Sequence, residues 1–144
     1  MALMQFDMKF LSQITGQTGT AVSSLARRLP LESQSEGVGV RRSFTRVDAL
    51  VIVACRLLRL KGLPPAIAAQ IGVGLVAEFQ KISKDLEHRS YLFAQPTGSH
   101  EWSYCITTDI EEAFDVLFDC PAAIAINVRN LYRDAKRELA KHDH

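Results

Sequence analysis

The stretch from Thr45 to Gly62 leaves the chain its least choice of structure. Thr45 followed three residues later by Asp48 is close to a capping box, the pattern that satisfies the orphan N–H groups of a helix start. Leu50, Val53, Leu57 and Leu60 then repeat at helical spacing, with Arg46, Arg56 and Arg59 off that stripe. Gly62 provides a C-cap, and Leu63-Pro64-Pro65 opens a further helix, because proline is tolerated in a first turn. That helix runs through residues 66–71, is expected to loosen at Gly72 and Gly74, and resumes toward Arg89.

Upstream, Asp7 can cap a short helix with Met8, Leu11 and Ile14 apolar, and Gly16 punctuates it. Thr18 is the natural N-cap of a second helix, residues 19–29, in which Ala21, Val22 and Leu25 form the apolar stripe. Thr20, Ser23, Ser24, Arg27 and Arg28 are left on or near its other face. Two such helices joined by a Thr-Gly turn have the proportions of a helix-turn-helix. Pro30 stops the second helix. Residues 31–44, with Gly37, Gly39 and Arg41-Arg42, read as a loop or small β-wing.

Downstream, Tyr91–Ala94 and Glu101–Thr107 form a hairpin pattern around a Pro96–Ser99 turn. Thr108 or Asp109 can cap a short acidic helix ending near Phe118, and residues 122–128 read as a strand. Asn127 can cap a last amphipathic helix carrying Val128, Leu131, Ala135 and Leu139. The expected class is therefore mainly α with a small β component (α+β). The expected division is 1–74 and 75–144, the second half serving dimerisation or an effector. Trp102, Tyr91, Phe93 and Tyr104 gather on the hairpin and need something to pack on, either this chain's helices or a dimer surface.

Composition narrows the function classes. Of 144 residues 47% are hydrophobic and 23% charged, which excludes wholesale disorder. The longest apolar run, Ala49–Cys55, falls far short of the ~20 residues that span a bilayer. No secretory signal pattern is seen, and Cys55, Cys105 and Cys120 are too few and dispersed for a disulfide framework or a closed zinc site. The expectation is a cytoplasmic protein without membrane attachment. Net charge is only +1, yet residues 1–61 carry nine basic and four acidic side chains, while residues 62–144 carry eight and twelve. Such asymmetry suggests that the first half meets a polyanion.

The order helix, turn, helix, Gly-bearing wing with paired Arg, capped helix, Gly-Leu-Pro, helix is similar to the N-terminal winged helix-turn-helix domain of the MerR family, over about residues 7–72. The residues that carry the resemblance are Leu11, Ile14-Thr15-Gly16-Gln17-Thr18, Val22, Gly39-Val40-Arg41-Arg42-Ser43-Phe44-Thr45, Asp48-Ala49-Leu50 and Leu60-Lys61-Gly62-Leu63. The resemblance implies that the second helix enters a DNA major groove and that basic wing residues hold the phosphate backbone. Carried onto this chain, Gln17, Thr18, Thr20, Ala21, Ser23, Ser24, Arg27 and Arg28 form the groove-facing set. Arg41 and Arg42 form the wing clamp, and Arg46 is a further phosphate candidate. Gln and Arg can read base edges, and helix N-termini and Arg fix register on phosphates.

The expected function is thus a bacterial transcriptional regulator that binds double-stranded DNA, reading a paired half-site as a homodimer. Where the family carries an Arg-Tyr-Tyr run this chain has Ser23-Ser24-Leu25, which keeps a second class open: an interaction adaptor or anti-activator without DNA binding. A DNA-architecture role (excision, partition, packaging) and a sensor of an unknown small-molecule effector are further alternatives. Arg56 and Arg59 read as surface charges rather than ligands, Cys55 and Cys105 as core. Gly72-x-Gly74 follows a helix and so is no phosphate loop, and the acidic residues 111–119 read as a solvated face. The chain is not expected to be an enzyme, and no metal or cofactor is expected.

Overall fold

The computed structural model describes residues 6–31, 43–98, 101–112, 115 and 123–141. In chain order these form β1 (Phe6–Asp7), α1 (Met8–Thr15), α2 (Gly19–Arg28), β2 (Ser43–Phe44), α3 (Arg46–Leu60), α4 (Pro65–Lys84), β3 (Tyr91–Pro96), β4 (Trp102–Thr107), β5 (Ile124–Asn127) and α5 (Val128–Lys141). Mostly helical with two small sheets, it is the α+β class anticipated from the sequence.

The helix starts form where local chemistry requires them. Asp7 Oδ1 accepts from Phe10 N at 2.8 Å, and Thr18 Oγ1 accepts from Ala21 N at 3.1 Å. The Thr45–Asp48 capping box is complete: Thr45 Oγ1 accepts from Asp48 N at 3.3 Å, and Asp48 Oδ2 accepts from Thr45 N at 3.4 Å. Asn127 Oδ1 accepts from Asn130 N at 3.2 Å at the head of α5.

Helix α4 departs from expectation. Rather than loosening at Gly72 and Gly74, it runs unbroken from Pro65 to Lys84. The glycines serve close approach. A Cβ on Gly72 would lie 2.7 Å from Cys55 Sγ and 2.8 Å from Leu29 Cδ2, and one on Gly74 would lie 2.8 Å from Ile106 Cδ1. Packing against α3 and β4 thus outweighs the helix propensity that glycine lacks. The expected boundary at residues 74 and 75 falls inside this helix.

Phe6 pairs with Phe44 and Asp7 with Ser43, so β1 and β2 lie antiparallel. The second sheet has the order β4-β3-β5, all antiparallel. Leu92 and Ala94 of the central strand face the helices and are fully buried. A single apolar core joins both halves of the chain: Leu11, Val22 and Phe44, most of α3, Ile71, Leu75 and Phe79 of α4, and Val128, Leu131 and Leu139 of α5. The Phe79 and Tyr132 rings meet edge to face at 5.1 Å.

Candidate nucleic-acid interface

The turn between α1 and α2 is set by Gly16, whose φ of 66° is left-handed and favours glycine. Ser12 Oγ donates to Gln17 O across the turn, and Thr15 Oγ1 donates to Leu11 O at 2.7 Å. Val22 and Ala26 are buried and press α2 onto the core. The opposite side of the helix, Thr18, Thr20, Ser24, Arg27 and Arg28, is exposed, with Gln17, Ala21 and Ser23 half-buried. Of the apolar stripe expected from sequence only Val22 is buried; Ala21 and Leu25 are half-buried and Ala26 takes the second core position, while the expected polar residues stay at or near the surface.

Part of this polar face forms one wall of a cleft of about 190 Å³. Gln17 lines it from the turn before α2, Ala21, Ser24, Leu25 and Arg28 from α2, Arg56 and Arg59 from α3, and Pro65 and Ala68 from the first turns of α4. Arg56 and Arg59 stand three residues apart, which places them on one helix face. Among the described residues no carboxylate lines the cleft, and none forms a salt bridge with Arg28, Arg56 or Arg59. Three guanidinium groups thus border one concave surface with no counter-charge among its described lining residues. The side-chain oxygen of Gln17 is buried in this neighbourhood without a hydrogen-bond partner among the described residues.

Cys55 lines the base of the cleft. Burial pushes its thiol pKa up to about 12, so it is neutral at physiological pH. Its Sγ donates to Ala68 O at 3.5 Å, tying α3 to α4 beneath the arginines. It is a core thiol and not a nucleophile.

The remaining candidates distribute unevenly. Thr18, Thr20, Ser23 and Arg27 lie on α2 outside the cleft lining. Arg46, at the start of α3, also lies outside it. Its charge acts on Tyr132 of α5, whose hydroxyl pKa burial pushes up and the Arg46 charge lowers. Arg41 and Arg42, expected as a wing clamp, lie outside the described residues.

Sequence reasoning sets Arg56 and Arg59 aside as surface charges. The signal that could find them is their i,i+3 spacing off the Leu50–Leu57 stripe, but the side-by-side placement of α2 and α3 has to be known first.

Among the described residues no group of three or more His, Cys, Asp or Glu is placed to hold a metal ion, and no helix is long and apolar enough to cross a membrane. Comparison with known proteins yielded no match to a family model or to a curated protein.

Proposed function

We propose that this protein is a DNA-binding regulator that lays α2 and the arginine-bordered cleft on double-stranded DNA and engages a paired half-site as a homodimer. The observation that carries the reading is the convergence of Arg28, Arg56 and Arg59 around the exposed polar face of a helix-turn-helix, with no carboxylate among the described residues that line the cleft. An uncompensated cluster of guanidinium groups is costly through mutual repulsion unless an anion neutralises it, and DNA phosphates do so while releasing counterions. Thr20 and Ser24 supply short, exposed polar side chains beside that cluster, suited to base edges, with Gln17 in the turn before them. Arg41 and Arg42 belong to the same reading as wing contacts to phosphate.

The test is selection of bound fragments from a random duplex pool, followed by affinity against salt. The expected result is saturable binding to a two-fold related site that weakens steeply as salt rises. Absence of binding at low salt by protein that melts cooperatively would overturn the reading and leave the interaction-adaptor class in the lead.

A further inference from the structure

We propose that β4 is a dimer interface: the edge that no described strand covers pairs antiparallel with β4 of a second copy, centred on Tyr104, and joins two three-stranded sheets into one of six strands. The proposal builds on the reading above, since paired half-sites require two copies. The interface can be tested without DNA, so either can fail alone.

The edge itself is the first observation. β4 pairs with β3 on one side only, and among the described residues no strand pairs with the other. The sequence Trp102–Thr107 contains no charge and no proline, and its register against β3 runs one to one without a bulge. Those are the usual devices by which an edge is protected from another strand. The opposite edge, β5, is only four residues long, runs straight into α5, and has Lys61, the C-cap residue of α3, beside it.

The second observation is a core-facing row that the chain covers only in part. Trp102, Tyr104 and Ile106 stand opposite Pro96, Ala94 and Leu92 and so point to the helix side of the sheet. Tyr104 Oη donates to Gln70 O of α4 at 3.1 Å, and Ile106 reaches Gly74. Yet Tyr104 remains 38% exposed and the neighbouring Val73 of α4 remains 44% exposed. A second strand added at this edge would extend the sheet under the same apolar row.

For a second copy, symmetry and the side-chain row select the register. A two-fold axis normal to the sheet keeps each residue on its own face, so residues facing each other must share parity. The self-pairing is therefore centred on a residue, and the two nearest the middle of β4 are Tyr104 and Cys105. Centring on Cys105 would set Trp102 against Thr108, past the end of the second copy's strand, and so leave the largest ring of the row without an apolar partner. Centring on Tyr104 sets Glu101 against Thr107, Trp102 against Ile106, and Tyr104 against its own counterpart. The core-facing row then closes on itself as apolar and aromatic cross-strand pairs.

Sedimentation equilibrium of the full chain without DNA is expected to give twice the 16.0 kDa chain mass. Tyr104→Lys and Tyr104→Glu should each weaken the dimer by roughly tenfold or more, through like charges facing across the axis. An equal mixture of the two should recover the dimer, since opposite charges then face each other. Each variant's melting curve shows whether the loss lies at the interface or in the fold. In a Cys105→Ser background, the milder Tyr104→Cys should form a covalent dimer under gentle oxidation. A wild-type monomer at about 100 µM, a dimer indifferent to both charges, or a folded mixture that stays monomeric without cross-linking of the cysteine variant would overturn the proposal.

Discussion

His88 Nε2 lies 2.6 Å from Glu78 Oε2, tying the loop after α4 back onto the helix it has just left. Lys81 Nζ stands 3.4 Å from the other carboxylate oxygen, and the buried Ser90 adjoins the pair. Burial alone would raise the Glu78 carboxyl. The His88 ring and the charge of Lys81 outweigh it and hold the carboxyl below its ordinary value. A depressed carboxylate contributes stability that is present above its unfolded pKa, about 4.3, and is lost as pH falls through the lower folded value. Urea midpoints measured across acid pH should therefore fall in that window, and Glu78→Gln should flatten the fall. Equal slopes in both proteins would show that the cluster contributes nothing to acid sensitivity.

Gly72→Ala tests the closest approach between α4 and its neighbours. The added methyl would have to displace Cys55 Sγ and Leu29 Cδ2, which an overpacked core resists at a cost of about 1–3 kcal/mol, despite alanine's better helix propensity. Thermal melts should show the destabilisation. A stabilised variant would mean that α3 and α4 can move apart freely.

The cleft arginines make a prediction about salt. Replacing Arg28, Arg56 and Arg59 with Ala should weaken binding to all duplexes alike and reduce the salt slope by about 0.9 for each DNA phosphate that is no longer neutralised. Arg41→Ala with Arg42→Ala should act in the same way. Thr20→Ala or Ser24→Ala should instead change the ranking among sequences. A triple cleft variant with unchanged salt dependence would move the DNA to another face.

Thiol chemistry separates the described cysteines. Burial raises both thiols, and the Glu112 carboxylate raises Cys105 a little further. Since the thiolate is the reactive form, alkylation at neutral pH should be slow for Cys105 and slower still for Cys55, which is fully buried. Mass-resolved alkylation in a Cys120→Ser background measures both, and rapid labelling of Cys55 would reveal opening between α3 and α4.

Local chemistry made much of the fold legible. Asp7, Thr18, Thr45 and Asn127 each cap a helix in the place that their sequence neighbourhood indicates. The short apolar run ending at Asn127 emerges as β5, although periodicity alone cannot tell such a run from a buried helical turn. What stayed hidden is tertiary. Gly72 and Gly74 read as helix breakers because the partners that require their small size, Cys55, Leu29 and Ile106, are distant along the chain. For the same reason Arg56 and Arg59 look like ordinary surface charge. Their i,i+3 spacing on α3 is the one local cue, and only the packing of α2 beside α3 brings Arg28 to them.

The placement of α5 has a consequence for how this molecule is made. Val128, Leu131, Ala135 and Leu139 complete the core over α3, and Val128 N donates to Ser90 O at 3.0 Å, beside the central strand. Both elements leave the ribosome long before the helix that covers them. Until residues near 139 have emerged, α3 has α1 and α4 against it but lacks the cover that α5 supplies, so the helix-turn-helix gains its full stability only from contacts that close late and at long range.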